Sequence, residues 1–187
     1  MLKEAVKQAE KAEEVKRLRG AGCFLTSCMS ILSPEQDLPS EWILIYYDLG
    51  TNAANQVVVS AESVELRSSG PPLDPSTSEI ELANVKTGVE RALEIARGEF
   101  AKYKQPLAQV IVTLQREQLE TWKMVFITKT LFAVSVRLNA VDGSVLSSEK
   151  TSLTGGGTPK QAQGTLKPAA PVVHVPDGQD KPPLTLA

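Results

Sequence analysis

The chain is poor in the residues that most catalytic and membrane chemistries require. Histidine occurs once in 187 residues, as His174, and cysteine twice, as Cys23 and Cys28. Two cysteines cannot build a disulfide framework. A Cys-x4-Cys half-site also lacks the second Cys/His pair that tetrahedral zinc needs. Both lie in the apolar run Gly22-Cys23-Phe24-Leu25-Thr26-Ser27-Cys28-Met29. That run reads as a buried strand, in which free thiols behave as small apolar groups. Aromatic residues make up only 5%, which argues against a stacking platform for single-stranded nucleic acid. The formal net charge is −2, so no broad pull toward nucleic acid or anionic lipid is expected. No apolar run approaches membrane-spanning length, and Met1-Leu2-Lys3-Glu4-Ala5-Val6-Lys7 has no apolar h-region. Arg19-Gly20-Ala21-Gly22-Cys23 has the shape of a lipoprotein cleavage site, but a Lys/Glu-rich stretch precedes it where an apolar one is needed. The expected compartment is therefore the cytoplasm, or the periplasm or exterior if a signal has been removed.

The scarce groups also fail to assemble into chemistry. His174 sits in Pro171-Val172-Val173-His174-Val175-Pro176, where no rigid shell would position a general base. Glu117 and Glu120 read as a solvated hairpin tip before Trp122, with no apolar pocket to raise a carboxyl pKa. Gly155-Gly156-Gly157 lacks the lysine and the strand-loop-helix context of a phosphate cradle. It reads as a flexible hinge. No cofactor, metal or catalytic residue is expected, and the chain is read as a non-enzyme.

What is present is regular patterning. Residues 2–18 read as one amphipathic helix, with Leu2, Ala5, Val6, Ala9, Ala12 and Val15 on a face. Residues 23–32, 42–48, 57–60 and 64–67 read as strands, separated by the loop 33–40 and a turn at Gly50. Residues 69–78 form a Ser/Gly/Pro linker with a capping residue at Ser76 or Thr77. A second helix is expected over 79–103, then strands over 108–114, 121–128, 131–140 and 144–151. Asp142-Gly143 predicts a two-residue hairpin turn of type I′. The two halves repeat one order, and Trp42 and Trp122 stand 80 positions apart. Each Trp opens a strand and is expected to anchor the core rather than bind a ligand.

Trp122-Lys123-Met124-Val125-Phe126, followed by Val134 to Ala140 and Val141-Asp142-Gly143-Ser144-Val145-Leu146, resembles the PepSY and PepSY-like domains. The resemblance covers residues 79–152 well and 1–68 weakly. It implies a cystatin-like α+β unit, a curved antiparallel sheet wrapped on one helix. It also implies an exported family that binds or restrains other proteins, including proteases, through a motif without catalytic residues. Gln56-Val57-Val58-Val59-Ser60 approaches the cystatin Gln-x-Val-x-Gly loop, but Ser replaces the Gly and the spacing suits a plain strand.

The expected architecture is α+β: two tandem cystatin-like units over 1–68 and 79–153, then an extended Pro-rich tail over 154–187. The tail holds half of the chain's 12 prolines and no periodicity. Its composition suits a disordered segment unless it docks. Pro168 and Pro171 form a Pro-x-x-Pro segment, while Val173 and Val175 suit strand addition to a sheet edge. Leu184 and Leu186 make the C-terminus apolar. The function expected is a protein-binding or scaffold subunit that docks through its sheet surface and tail, onto another protein or copies of itself. The alternatives are a regulator or inhibitor of a peptidase, and a small-ligand carrier. Neither nucleic acid nor an inserted membrane segment is expected.

Overall fold

In the computed structural model, residues 1–71 and 78–154 are described. The elements run α1 (Leu2–Ala9), α2 (Glu13–Gly20), β1 (Phe24–Leu32), β2 (Trp42–Asp48), β3 (Ala53–Val59), β4 (Val64–Gly70), α3 (Val89–Ala101), β5 (Leu107–Arg116), β6 (Glu120–Thr128), β7 (Phe132–Asn139) and β8 (Val145–Ser152). The class is α+β, as the patterning predicts. All eight strands form one antiparallel sheet in the order β4-β3-β2-β1-β5-β6-β7-β8. It consists of two four-stranded meanders joined through β1 and β5.

Two separate sheets were the simpler expectation. Instead, Ser27 to Leu32 pair with Gln115 to Val110 across the middle. That pairing satisfies backbone groups which two free edges would leave without partners. Among the described residues, the helices lie on one face. α1 packs on β2 and β3, and α3 packs on β6 and β7. The core forms between helices and sheet, and it runs through both halves without a break.

Alternation selects the core face along each strand. Leu44 and Tyr46 on β2, Val57 and Val59 on β3, and Val110, Val112 and Leu114 on β5 point into it. On β1 the parity changes midway. Leu25 pairs with Tyr46 and Ser27 with Ile45, so Thr26 is the extra residue of a β-bulge. The bulge lets both Leu25 and Cys28 face the core.

Three local expectations are corrected. The helix over 2–18 is two helices, because Ala12 is extended (φ −71°, ψ 141°). In one straight helix Val15 would stand about 120° around the axis from Ala9. The break lets both be fully buried. The helix over 79–103 is confined to Val89–Ala101, with Gly88 as N-cap. Residues 78–88 bond elsewhere: Ile80 N–H donates to Leu25 O at 2.8 Å, and Lys86 and Thr87 N–H donate to Ala140 O at 3.0 and 2.9 Å. Ile80 and Val85 thus reach the core from a docked segment rather than a helical stripe. The β7–β8 connection spans five residues, 140–144, and is not a two-residue turn. Gly143 alone is left-handed there, at φ 79°, whereas type I′ needs two such residues. Asp142 Oδ1 instead accepts from Ser144 N–H at 2.8 Å. The site residues expected in the tail, and the capping residues Ser76 and Thr77, lie outside the described residues.

Candidate binding face

His174 and Gly155 to Gly157 lie outside the described residues, while the tryptophans and cysteines are structural. Trp42 and Trp122 are 3% and 0% exposed, and their rings meet at 6.4 Å in the shared core. Trp122 Nε1 donates to Thr87 O at 2.9 Å, tying β6 to the docked segment. Cys23 and Cys28 are free and buried, and burial raises the pKa of both thiols, which keeps them protonated and inert. Gln56 to Val59 lie in β3 with ordinary strand pairing to β2. They do not form an exposed loop.

Of the Glu117/Glu120 pair, Glu117 lies exposed at the β5–β6 hairpin tip as expected, but Glu120 does not. Glu120 is 2% exposed, and its Oε1 accepts from Glu81 N–H at 3.2 Å with Arg116 Nε at 3.7 Å. Glu117 instead pairs with Arg137. Arg116 also bridges to Glu81, whose carboxyl it holds below the ordinary value by hydrogen bonding. Arg19 reaches Glu79 at 2.9 Å and Glu10 at 3.3 Å. These pairs pin residues 79–81 across the end of the sheet. Their carboxylates are occupied by cations and amides. Among the described residues, no group of three or more His, Cys, Asp or Glu side chains could hold a metal. A cleft of about 170 Å³ opens beside α1, lined by Met1, Ala5, Gln8, Trp42 and Val59 among others. That is smaller than the roughly 300–1,000 Å³ of ordinary ligand pockets.

Among the described residues, the opposite face of the sheet carries no helix. Strand register places its side chains in rungs. Val58 on β3, Ile43 on β2 and Met29 on β1 form one rung, continued by Thr113, Lys123 and Arg137 on β5, β6 and β7. The next rung is Ile31, Ile111, Val125 and Ser135. Ile127 and Ala133 lie beyond it, and Ile45 lies on the other side, across from Ser27. Farther along, Phe24 and Tyr47 meet edge to face at 5.8 Å. Tyr47, Val58 and Ala54 are themselves buried yet stand apart from the main core. Ile31 is 49% exposed.

A diagonal apolar band therefore crosses the open face from β3 to β6 and spans both halves. An antiparallel sheet normally presents polar residues on a face left to water. The band departs from that rule: Met29, Ile43, Ile111, Val125 and Ile127 are half-buried and Ile31 is exposed, and contiguous apolar surface on an open face marks interaction sites. Charges on this face are few and of both signs: Glu65 on β4, which bridges to Arg67 at 3.8 Å, lies on one side of the band, and Lys123, Arg137 with its partner Glu117, and Glu149 on β8 lie on the other. None of these residues stood out in the sequence, although the signal was there. Ile43, Ile45, Ile111, Val125 and Ile127 alternate with core residues, so their strands are apolar on both sides.

No family model matches the chain. No curated protein matches it either. Among solved structures, a candidate lipoprotein from Clostridium difficile 630 aligns over 74% of this chain and 89% of its own, at 12% identity and a TM-score of 0.49. Among the described residues, no helix is long and apolar enough to cross a membrane.

Proposed function

We propose that the chain is a non-catalytic binding or scaffold subunit that docks into a larger assembly through its open sheet face. The observation that carries this reading is the apolar band from Val58 through Ile43, Met29 and Ile111 to Ile127, on the face without helices. The C-terminal tail, with Pro168, Pro171, Val173, Val175, Leu184 and Leu186, is a second contact in the same reading. Two comparisons test it. Recovery of partners is measured for the full chain, for Ile31→Glu and for Val125→Lys. Loss in the two variants, with unchanged melting, is expected, and equal recovery would remove the face from the reading. Recovery by a chain ending at Leu153 tests the tail in the same way.

The finer architectural reading is that the halves are copies of one cystatin-like unit. Its support is positional. Trp42 pairs with Val59, which pairs with Val64, and Trp122 pairs with Leu138, which pairs with Val145. Each half runs from helix to four-strand meander. On this reading the PepSY-like motif is a structural device. Ala140 O accepts from Lys86 and Thr87, and Gly143 packs near Thr87 and Ile95.

A further inference from the structure

We infer that the occupant of the open face is a second copy of this chain, packed sheet to sheet about a two-fold axis with the helices outermost. The inference rests on the binding reading above and names its partner. Shape favours it first. The face is continuous over eight paired strands, and another sheet matches such a surface, whereas a helix or an extended peptide fills only a strip. Area favours it next. Strands about 4.8 Å apart, each presenting about 25 Å of length, give a face of about 1,000 Å². A stable interface needs about 800 Å² from each partner.

Charge is the third argument. A two-fold contact sets the same patch against itself, so a face of one sign would repel its own copy. Here the charges are few and mostly compensated within the chain, Glu65 by Arg67 at 3.8 Å and Glu117 by Arg137, with Lys123 and Glu149 of opposite sign beside them, so the face does not repel its own copy. That mixture also gives no attraction for a polyanion or an anionic bilayer. Backbone chemistry agrees. The interior strands of the face are paired on both sides, so covering them buries side chains without leaving amide groups unsatisfied.

The test is the mass of the purified full chain in solution, by sedimentation over about 1 to 100 µM. Twice the monomer mass is expected, with dissociation within or below this range. Ile31→Glu and Val125→Lys, on β1 and β6, should each weaken association at least tenfold while keeping the native circular dichroism. Leu49→Glu, in the exposed β2–β3 turn, should not. A monomer throughout overturns the inference, and so does a dimer equally tight in both face variants. A chain ending at Thr154 that dimerises while the full chain stays monomeric also overturns it, because the tail would then occupy the face. The binding reading is judged separately. A monomeric chain whose partner recovery is lost in Ile31→Glu keeps that reading and loses only the second copy.

Discussion

Tyr46 and Trp122 are both fully buried polar aromatics on the core face, and they stand in opposite energetic positions. Trp122 has its partner in Thr87 O. The Tyr46 hydroxyl has none among the described residues, and its ring lies 5.9 Å beneath the Arg19 guanidinium. Burial pushes the Tyr46 pKa up, so the group stays neutral at any ordinary pH. An unmade buried hydrogen bond costs about 1–3 kcal/mol, whereas a made one returns about 1 kcal/mol net. Tyr46→Phe deletes only the orphan and is expected to raise stability by about 1 kcal/mol, seen as a higher urea midpoint with an unchanged slope. Trp122→Phe removes a satisfied donor, strands the Thr87 carbonyl and opens a cavity. It should cost about 2–4 kcal/mol in the same assay. Equal signs for the two substitutions would contradict this assignment of their environments.

At the scale of elements, the strands were legible because alternation and turn residues mark them. The helices were less so. Residues 79–88 carry apolar positions that continue a helical stripe, and only the tertiary partners Leu25 O and Ala140 O draw that backbone away. No local pattern encodes those acceptors. Ile80, 5% exposed, is the anchor of the docked segment. Ile80→Ala should cost about 2–4 kcal/mol, as for other buried large-to-small changes. Limited proteolysis would then find its first new cuts within residues 78–88. The turns make a separate prediction. The Ser144 amide and hydroxyl hold the Asp142 carboxyl below its ordinary value of 3.8, and Thr51 with the Gly50 amide does the same for Asp48. The unfolded chain therefore takes up these protons first as pH falls. Their stabilisation is present above about pH 4 and is lost as the pH drops through the folded values. Asp142→Asn keeps the acceptor oxygen and removes the titration. Its melting temperature should fall less steeply than the parent's on acidification toward about pH 3.

At the scale of the molecule, strand order was the part that sequence could not supply. The outer edges of β1 and β5 look like any other strand edge, and their joining depends on two segments that the chain separates by β2, β3, β4 and α3. The open face was hidden for a related reason. Residues apolar on both sides of a strand read as doubly buried, and only the topology shows that helices cover one side. Once joined, the halves cannot be energetically independent. Six residue pairs cross the β1–β5 seam, Trp42 touches Trp122 over it, and Ile80 and Glu79 from the connecting segment bond to β1 and α2. Separating the halves would expose two strand edges and split one apolar core. Cooperativity requires that no sub-unit retain most of its stabilising contacts alone. The expectation is a single unfolding transition, with tryptophan fluorescence, which reports the seam, coinciding with far-ultraviolet dichroism, which reports the whole sheet. Residues 1–71 and 78–154 produced as separate chains should each lack a cooperative melt and regain one on mixing. Two resolved transitions, or a half that melts cooperatively alone, would show that the seam is an interface between finished domains rather than the middle of one.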